Sequence, residues 1–185
     1  METARRATIA DLEDLTRLAR LGLGELTPMR GGELWALTLG RSEPLTPTLQ
    51  EELTDPNRLV VVGCIDDAVV GYGTVRLQGL VDGTTIGVVD DIFTEEGARG
   101  VGVGEAMMDL LIAWCEQHRC AGIDAVALPG NRATKNFFER YGLTARALLV
   151  HRRLGPLPDP EPGRDPEPGA DPVPDPAGDA AEETP

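Results

Sequence analysis

Two runs of β-branched and apolar residues, separated by only two aspartates, limit what this chain can fold into. Arg58-Leu-Val-Val-Val-Gly-Cys-Ile65 predicts a buried strand from its β-branched content. Asp66-Asp67 makes the turn, and Ala68-Val-Val-Gly-Tyr-Gly-Thr-Val-Arg-Leu77 returns antiparallel as a hairpin. A Gly-rich loop near Asp82-Gly83 then leads into a third long strand, Thr85 to Thr94. Three consecutive strands commit the centre of the chain to a sheet whose first connections are hairpins.

Helices frame that sheet. A short first strand is expected over Arg5–Thr8, after which Asp11 caps a helix carrying Leu12, Leu15, Leu18 and Leu21 on one face. Gly22 and Gly24 weaken its end, and a second short helix from about Thr48 to Leu53 stops before Pro56. Ala106, Met107, Leu110, Leu111 and Trp114 recur at helical spacing within a helix expected over Gly102–His118. An apolar strand follows from Ile123 to Leu128, broken by Pro129-Gly130. Asn131 caps a helix running to about Arg140, and Thr144 to Leu154 is read as the last strand. The class is therefore α/β (α+β), with antiparallel hairpins first and a βαβ crossover later.

Charge divides the chain. Ten of the fifteen prolines lie from Gly155 onward, in an approximate six-residue repeat that opens at Asp159, Asp165 and Asp171. That stretch carries nine acidic residues against one basic, leaving a formal −6 of the total −14 on residues 1–154. Proline removes amide donors and like charges repel, so residues 155–185 are expected to be a disordered tail behind one folded domain, 1–154. No cluster of Lys and Arg with interleaved aromatics marks a nucleic-acid surface, and no apolar run is long enough for a membrane span. Three cysteines in no ligand spacing, with no leader-like N-terminus, point to a reducing, cytoplasmic setting. His118 and His151 belong to no metal or triad pattern. A homodimer is compatible with the sequence.

Chemistry concentrates between the third strand and the helix after it. Gly97, Gly100, Gly102 and Gly104 allow backbone N–H groups to turn toward one point. The helix start adds unpaired donors and the positive end of a macrodipole, which together suit a phosphate or pyrophosphate. Arg99 adds a fixed cation. No Lys-Ser/Thr follows, so this is not a nucleoside-triphosphate loop, and its place midway along the chain is not that of a dinucleotide fingerprint.

At these residues the sequence resembles the GNAT superfamily of acetyl-CoA-dependent N-acetyltransferases, whose Arg/Gln-x-x-Gly-x-Gly/Ala signature is matched by Arg99-x-x-Gly102-x-Gly104. The resemblance covers about residues 5–154 and implies a mixed, mostly antiparallel central sheet flanked by helices. It implies that main-chain groups of Ile92, Phe93 and Thr94 pair with the pantetheine arm of acetyl-CoA and hold the acetyl carbonyl. Main-chain N–H groups of Arg99, Gly100, Val101, Gly102, Val103 and Gly104 would hold the pyrophosphate, and Asn131 would contact the pantetheine. The acceptor would be an amine of a small molecule or a protein. Two positions depart from the family pattern. The usual acid tyrosine falls at Phe138, leaving Tyr141, one turn on, as the candidate acid. The usual fourth-strand glutamate falls in Val88-Val89, leaving Asp90-Asp91. Adjacent strand residues face opposite ways, so only one of these is expected in the site, with Asp91 as candidate base through water. The missing tyrosine also keeps open a non-catalytic acyl-CoA-binding sensor or interaction module.

Overall fold

A computed structural model describes residues 1–155. The chain divides into two units, Met1–Arg146 and Ala147–Pro185. Among the described residues, the first unit carries the regular structure: β1 (Glu2–Arg6), α1 (Leu12–Leu26), α2 (Gly32–Thr38), α3 (Leu45–Thr54), β2 (Arg58–Ile65), β3 (Ala68–Gly79), β4 (Thr85–Thr94), α4 (Val103–Gln117), β5 (Ile123–Ala125) and α5 (Arg132–Arg140). Of the second unit, residues 147–155 are described and have no regular structure. The tail expected over 155–185 lies, Gly155 apart, outside the described residues.

The five strands form one sheet in the order β1-β2-β3-β4-β5. Its first three pairings are antiparallel and the last is parallel. At the β2–β3 turn both Asp66 (φ 45°) and Asp67 (φ 71°) are left-handed, which matches the twist of a two-residue hairpin. The mixed, mostly antiparallel sheet is thus the one expected, with α1 and α3 on one face and α4 on the other. Alternation in β2 sorts the core. Val60, Val62 and Cys64 pack with Leu15, Leu18, Leu45 and Leu49 on the α1/α3 face. Leu59 and Val61 pack with Val103, Met107, Met108 and Leu111 of α4 on the other. Gly63 is required because a Cβ there would come within 2.5 Å of Val103.

Three expectations need correction. The segment Thr144–Leu154 is not a strand: it has no ladder, and Leu148, Leu149, Val150 and Leu154 are exposed. Composition favoured extended backbone, but a strand exists only beside a partner, and among the described residues no strand pairs with this segment. The strand expected over Ile123–Leu128 stops at Ala125, because its parallel ladder ends at the pair Val89↔Ala125. The strand expected over Arg5–Thr8 lies earlier, at Glu2–Arg6, where it follows the register of β2. The α3 helix is longer than expected, and α2 was not foreseen.

Asp11 ties β1 to α1. Arg5 donates to both of its oxygens at 2.6 and 2.8 Å, and the Thr8 amide adds a third bond at 2.8 Å. The Arg5 bond, assisted by Thr8, outweighs burial and holds the Asp11 carboxyl at about 2 rather than 3.8. A depressed carboxyl stabilises the fold above its unfolded pKa and loses that contribution as pH falls toward the folded one. Between pH 5 and pH 2 this group should account for about 2 kcal/mol of lost stability. Urea unfolding of wild type and Asp11→Asn at both pH values is expected to show that difference, and equal pH slopes would contradict it.

Candidate active site

The site begins with an irregularity in β4. Thr74 pairs with Asp91 and Val75 with Val89, so one extra residue, Asp90, is inserted opposite β3. Such a bulge interrupts alternation. Asp90 and Asp91 consequently reach the same face, which corrects the expectation that only one could. Val89 and Ile92, on either side, pack with the α4 core, while Phe93 packs with the α1/α3 core.

Both aspartates are engaged by arginines. Arg41, from the loop between α2 and α3, donates from Nε to Asp91 Oδ2 at 2.8 Å, and Thr74 Oγ1 donates to the same oxygen at 3.2 Å. The Arg41 fork also grips Glu52 of α3 at 3.0 and 2.8 Å. Arg58 joins Glu52 to Asp90 at 3.2 and 3.0 Å, and Arg76 Nε reaches Asp90 at 3.2 Å. Burial disfavours the Arg41 cation, but Asp91 and Glu52 outweigh it and raise its pKa. Burial raises the Asp90 carboxyl against the pull of Arg76 and Arg58. Tyr72, also on this face and fully buried, has its hydroxyl against Asp91 and Arg41; burial and then the Asp91 charge raise it well above its ordinary value. Arg41, Glu52 and Tyr72 were not found from the sequence. Arg41 sits in a loop with no motif around it, and Tyr72 shows only as an inward position of a strand.

Beyond the bulge β4 loses its neighbour on one side. β5 pairs only with Gly87, Val88 and Val89, so the edge of Ile92, Phe93 and Thr94 away from β3 is open. The Thr94 carbonyl points to that edge, where Arg99 Nε donates to it at 2.8 Å. Ile92, two residues back, shares its direction. Arg99 also pairs with Glu25 at 2.6 Å and lies 5.6 Å from the Phe93 ring centre.

The loop into α4 follows directly. Gly100 (φ 76°) and Gly102 (φ 107°) are left-handed, and Gly102 caps α4. Among the described residues, no protein acceptor takes the amides of Gly100, Val101, Gly102, Val103 or Gly104. Side chains leave the approach clear, since a Cβ at Gly100 or Gly102 would meet nothing within 4 Å. Unpaired amides at a helix start form an anion cradle.

The remaining expected site residues lie nearby but are partnered. Asn131 caps α5 through Oδ1, which accepts from the Thr134 amide at 3.1 Å, and its Nδ2 faces Met29 Sδ at 3.7 Å. Met29 and Arg30 and the segment from Pro129 to Ala133 border an open cleft of about 530 Å³. The Tyr141 hydroxyl donates to the Glu105 carbonyl at 3.1 Å, and its ring lies 5.4 Å from Phe137. Burial, reinforced by Asp109, pushes it up to about 12. Phe138 is core. Among the described residues no group of three or more His, Cys, Asp or Glu could hold a metal, and no helix is long and apolar enough to cross a membrane.

A splayed β4–β5 pair, an open strand edge and an amide cradle at the next helix define an acyltransferase framework. Residues 31–143 match the acetyltransferase (GNAT) family, and the chain belongs to it. No curated protein is similar enough in sequence to match. Solved structures share the fold. A transcriptional regulator from Bacillus halodurans is 21% identical, with 83% of this chain and 100% of that one covered and a TM-score of 0.63. AAC(6′)-Iy, in complex with the bisubstrate analogue CoA-S-monomethyl-acetylneamine, is 14% identical, with 83% and 97% covered and a TM-score of 0.65. A ribosomal-protein-alanine N-acetyltransferase from Brucella melitensis is 18% identical, with 84% and 100% covered and a TM-score of 0.59.

The environments of Tyr72 and Tyr141, the only two tyrosines, carry a direct spectroscopic consequence. In the folded protein no phenolate absorbance at 295 nm is expected below about pH 11. A titration step near the ordinary tyrosine value of 10 would contradict it.

Proposed function

We propose that this protein moves the acetyl group of acetyl-CoA directly to an amine of a small molecule or protein. The observation that carries the reading is the row of unpartnered amides from Gly100 to Gly104, placed beside the open edge of β4. The residues present fit the coenzyme: the cradle takes an anion of pyrophosphate size, and the free edge of Ile92, Phe93 and Thr94 accepts an extended amide-bearing arm as an added strand would. Asn131 lies across the gap from that edge in this reading. When bound, the coenzyme supplies an activated thioester.

The chain's own share is mainly positional. Main-chain donors at the β4 edge polarise the carbonyl held there, and the amide cradle fixes the arm at its far end. Asp91 is proposed to take the acceptor's proton through water, and Tyr141 to supply one to the departing sulfur. Each is already bound, to Arg41 and to the Glu105 carbonyl. A phenol pushed up to about 12 gives up its proton reluctantly. Positioning therefore supplies most of the acceleration, and Tyr141→Phe is expected to lower kcat less than about tenfold, short of the 10²–10⁴ of a full acid–base group. The neighbours of this fold include an aminoglycoside antibiotic 6′-N-acetyltransferase and a ribosomal-protein-alanine N-acetyltransferase, which supports both acceptor classes. Three free thiols suit a reducing cytoplasm.

A second reading, a non-catalytic acyl-CoA-binding module, is favoured by one observation: Phe138 stands in the core where the family places its acid. Calorimetry and thiol release separate the two. Wild type should bind acetyl-CoA and release free thiol with at least one member of an amine panel; tight binding without turnover on any amine favours the module. Gly102→Glu, which adds a carboxylate at a left-handed cap, should weaken acetyl-CoA binding by more than about tenfold. The control Gly83→Ala, at another left-handed glycine in the β3–β4 turn, should not. Undiminished binding by folded Gly102→Glu overturns both readings.

A further inference from the structure

The α2–α3 connection has no regular structure where Arg41 lies, yet the Arg41 side chain is only 8% exposed. A buried guanidinium loses its hydration and is retained only where several acceptors replace it. Arg41 has three, on three elements: Glu52 on α3, Asp91 on β4 and Thr74 on β3. Glu52 passes the linkage to Arg58, and Arg58 to Asp90. The two residues of the β4 bulge are thus held from the same side by two connected cations.

We propose that Arg41 is a positioning residue for acyl transfer, fixing the bulge so that the main-chain groups of Ile92 and Thr94, on either side of Phe93, stay aimed at the open edge. This rests on the acetyltransferase reading. The bulge exists only while Asp90 and Asp91 share a face. With Asp91 released, regular alternation would return, and a one-residue slip reverses every side chain and main-chain group beyond it. The Thr94 carbonyl and its neighbours would then turn away from the edge. The amide cradle begins six residues after Thr94, in a segment that none of these arginines touches, so it would keep its hold on a diphosphate.

That separation defines the test, made on the full chain with Arg41→Gln and Arg41→Lys. Hydrogen exchange read by mass spectrometry should show amides of residues 90–94 exchanging more than about tenfold faster in Arg41→Gln, with residues 103–117 unchanged. Affinity for 3′-phosphoadenosine 5′-diphosphate, which has the diphosphate but lacks the amide-bearing arm, should stay within about threefold, while kcat falls more than about tenfold. Arg41→Lys, which keeps the charge but not the fork, should fall between. Unchanged exchange at 90–94, or a loss of kcat matched by an equal loss of affinity for 3′-phosphoadenosine 5′-diphosphate, overturns the inference. Should Arg41→Gln lose protection everywhere, Arg41→Lys is scored by the same criteria. Wild type that binds no acetyl-CoA defeats the acetyltransferase reading, and with it any role in transfer; the exchange data report separately on whether Arg41 holds the bulge.

Discussion

One extra residue in β4 organises this molecule. Up to Val89 the strand is an ordinary member of the sheet, paired on both sides. At Asp90 the ladder to β3 shifts, the ladder to β5 ends, and two successive carboxylates emerge on one face. A buried pair of acids would be intolerable alone, since each charge repels the other and neither is hydrated. Arg41, Arg58 and Arg76 make it tolerable, with Glu52 closing the balance at three cations and three anions. Such networks seldom add much net stability, because desolvation consumes most of the attraction. What this one fixes is geometry: the place where β4 and β5 part.

The parting creates a site made largely of main chain. Its donors are the amides of a glycine loop and the edge of a strand, groups that exist in any sequence folding this way. Side chains serve by staying out, as at Gly100 and Gly102, or by covering what is exposed. Arg99 covers the Thr94 carbonyl and is held by Glu25 of α1. It therefore joins the first helix to the edge an extended ligand would occupy. A ligand donor reaching the Thr94 carbonyl would share its two lone pairs with Arg99 or displace that guanidinium.

The elements legible in the sequence were those with local signatures. Hairpin strands announced themselves by β-branched runs around Asp66-Asp67, and the bounds of β2 and β4 and the α5 cap at Asn131 followed from local chemistry alone. The loop from Gly100 to Gly104 was legible because glycine spacing between a strand and a helix has few other uses. What escaped depended on partners distant in the chain. Nothing in Val88-Val89-Asp90-Asp91 marks a bulge, since its position is decided by register against Thr74 and Val75. Arg41 is 50 residues from Asp91, and no periodicity links them. Thr144–Leu154 failed for the same reason in reverse: its composition favoured a strand, but a ladder requires a neighbour.

This division bears on where specificity can reside. The main-chain site is indifferent to most substitutions, so it can persist while the sequence around it changes. The face carrying Asp91 and Phe93 is different: it is roofed by α1 and α3, and its polar interior is set by Arg41 from the connection between α2 and α3. An acceptor entering from that side meets groups whose charges are already matched, so a bare ammonium finds no free carboxylate among Glu52, Asp90 and Asp91 without displacing an arginine. Displacement would also release the bulge. In the proposed function, charge recognition and the alignment of the β4 edge are therefore linked through the same guanidinium, and the acceptor is held by contacts outside that network.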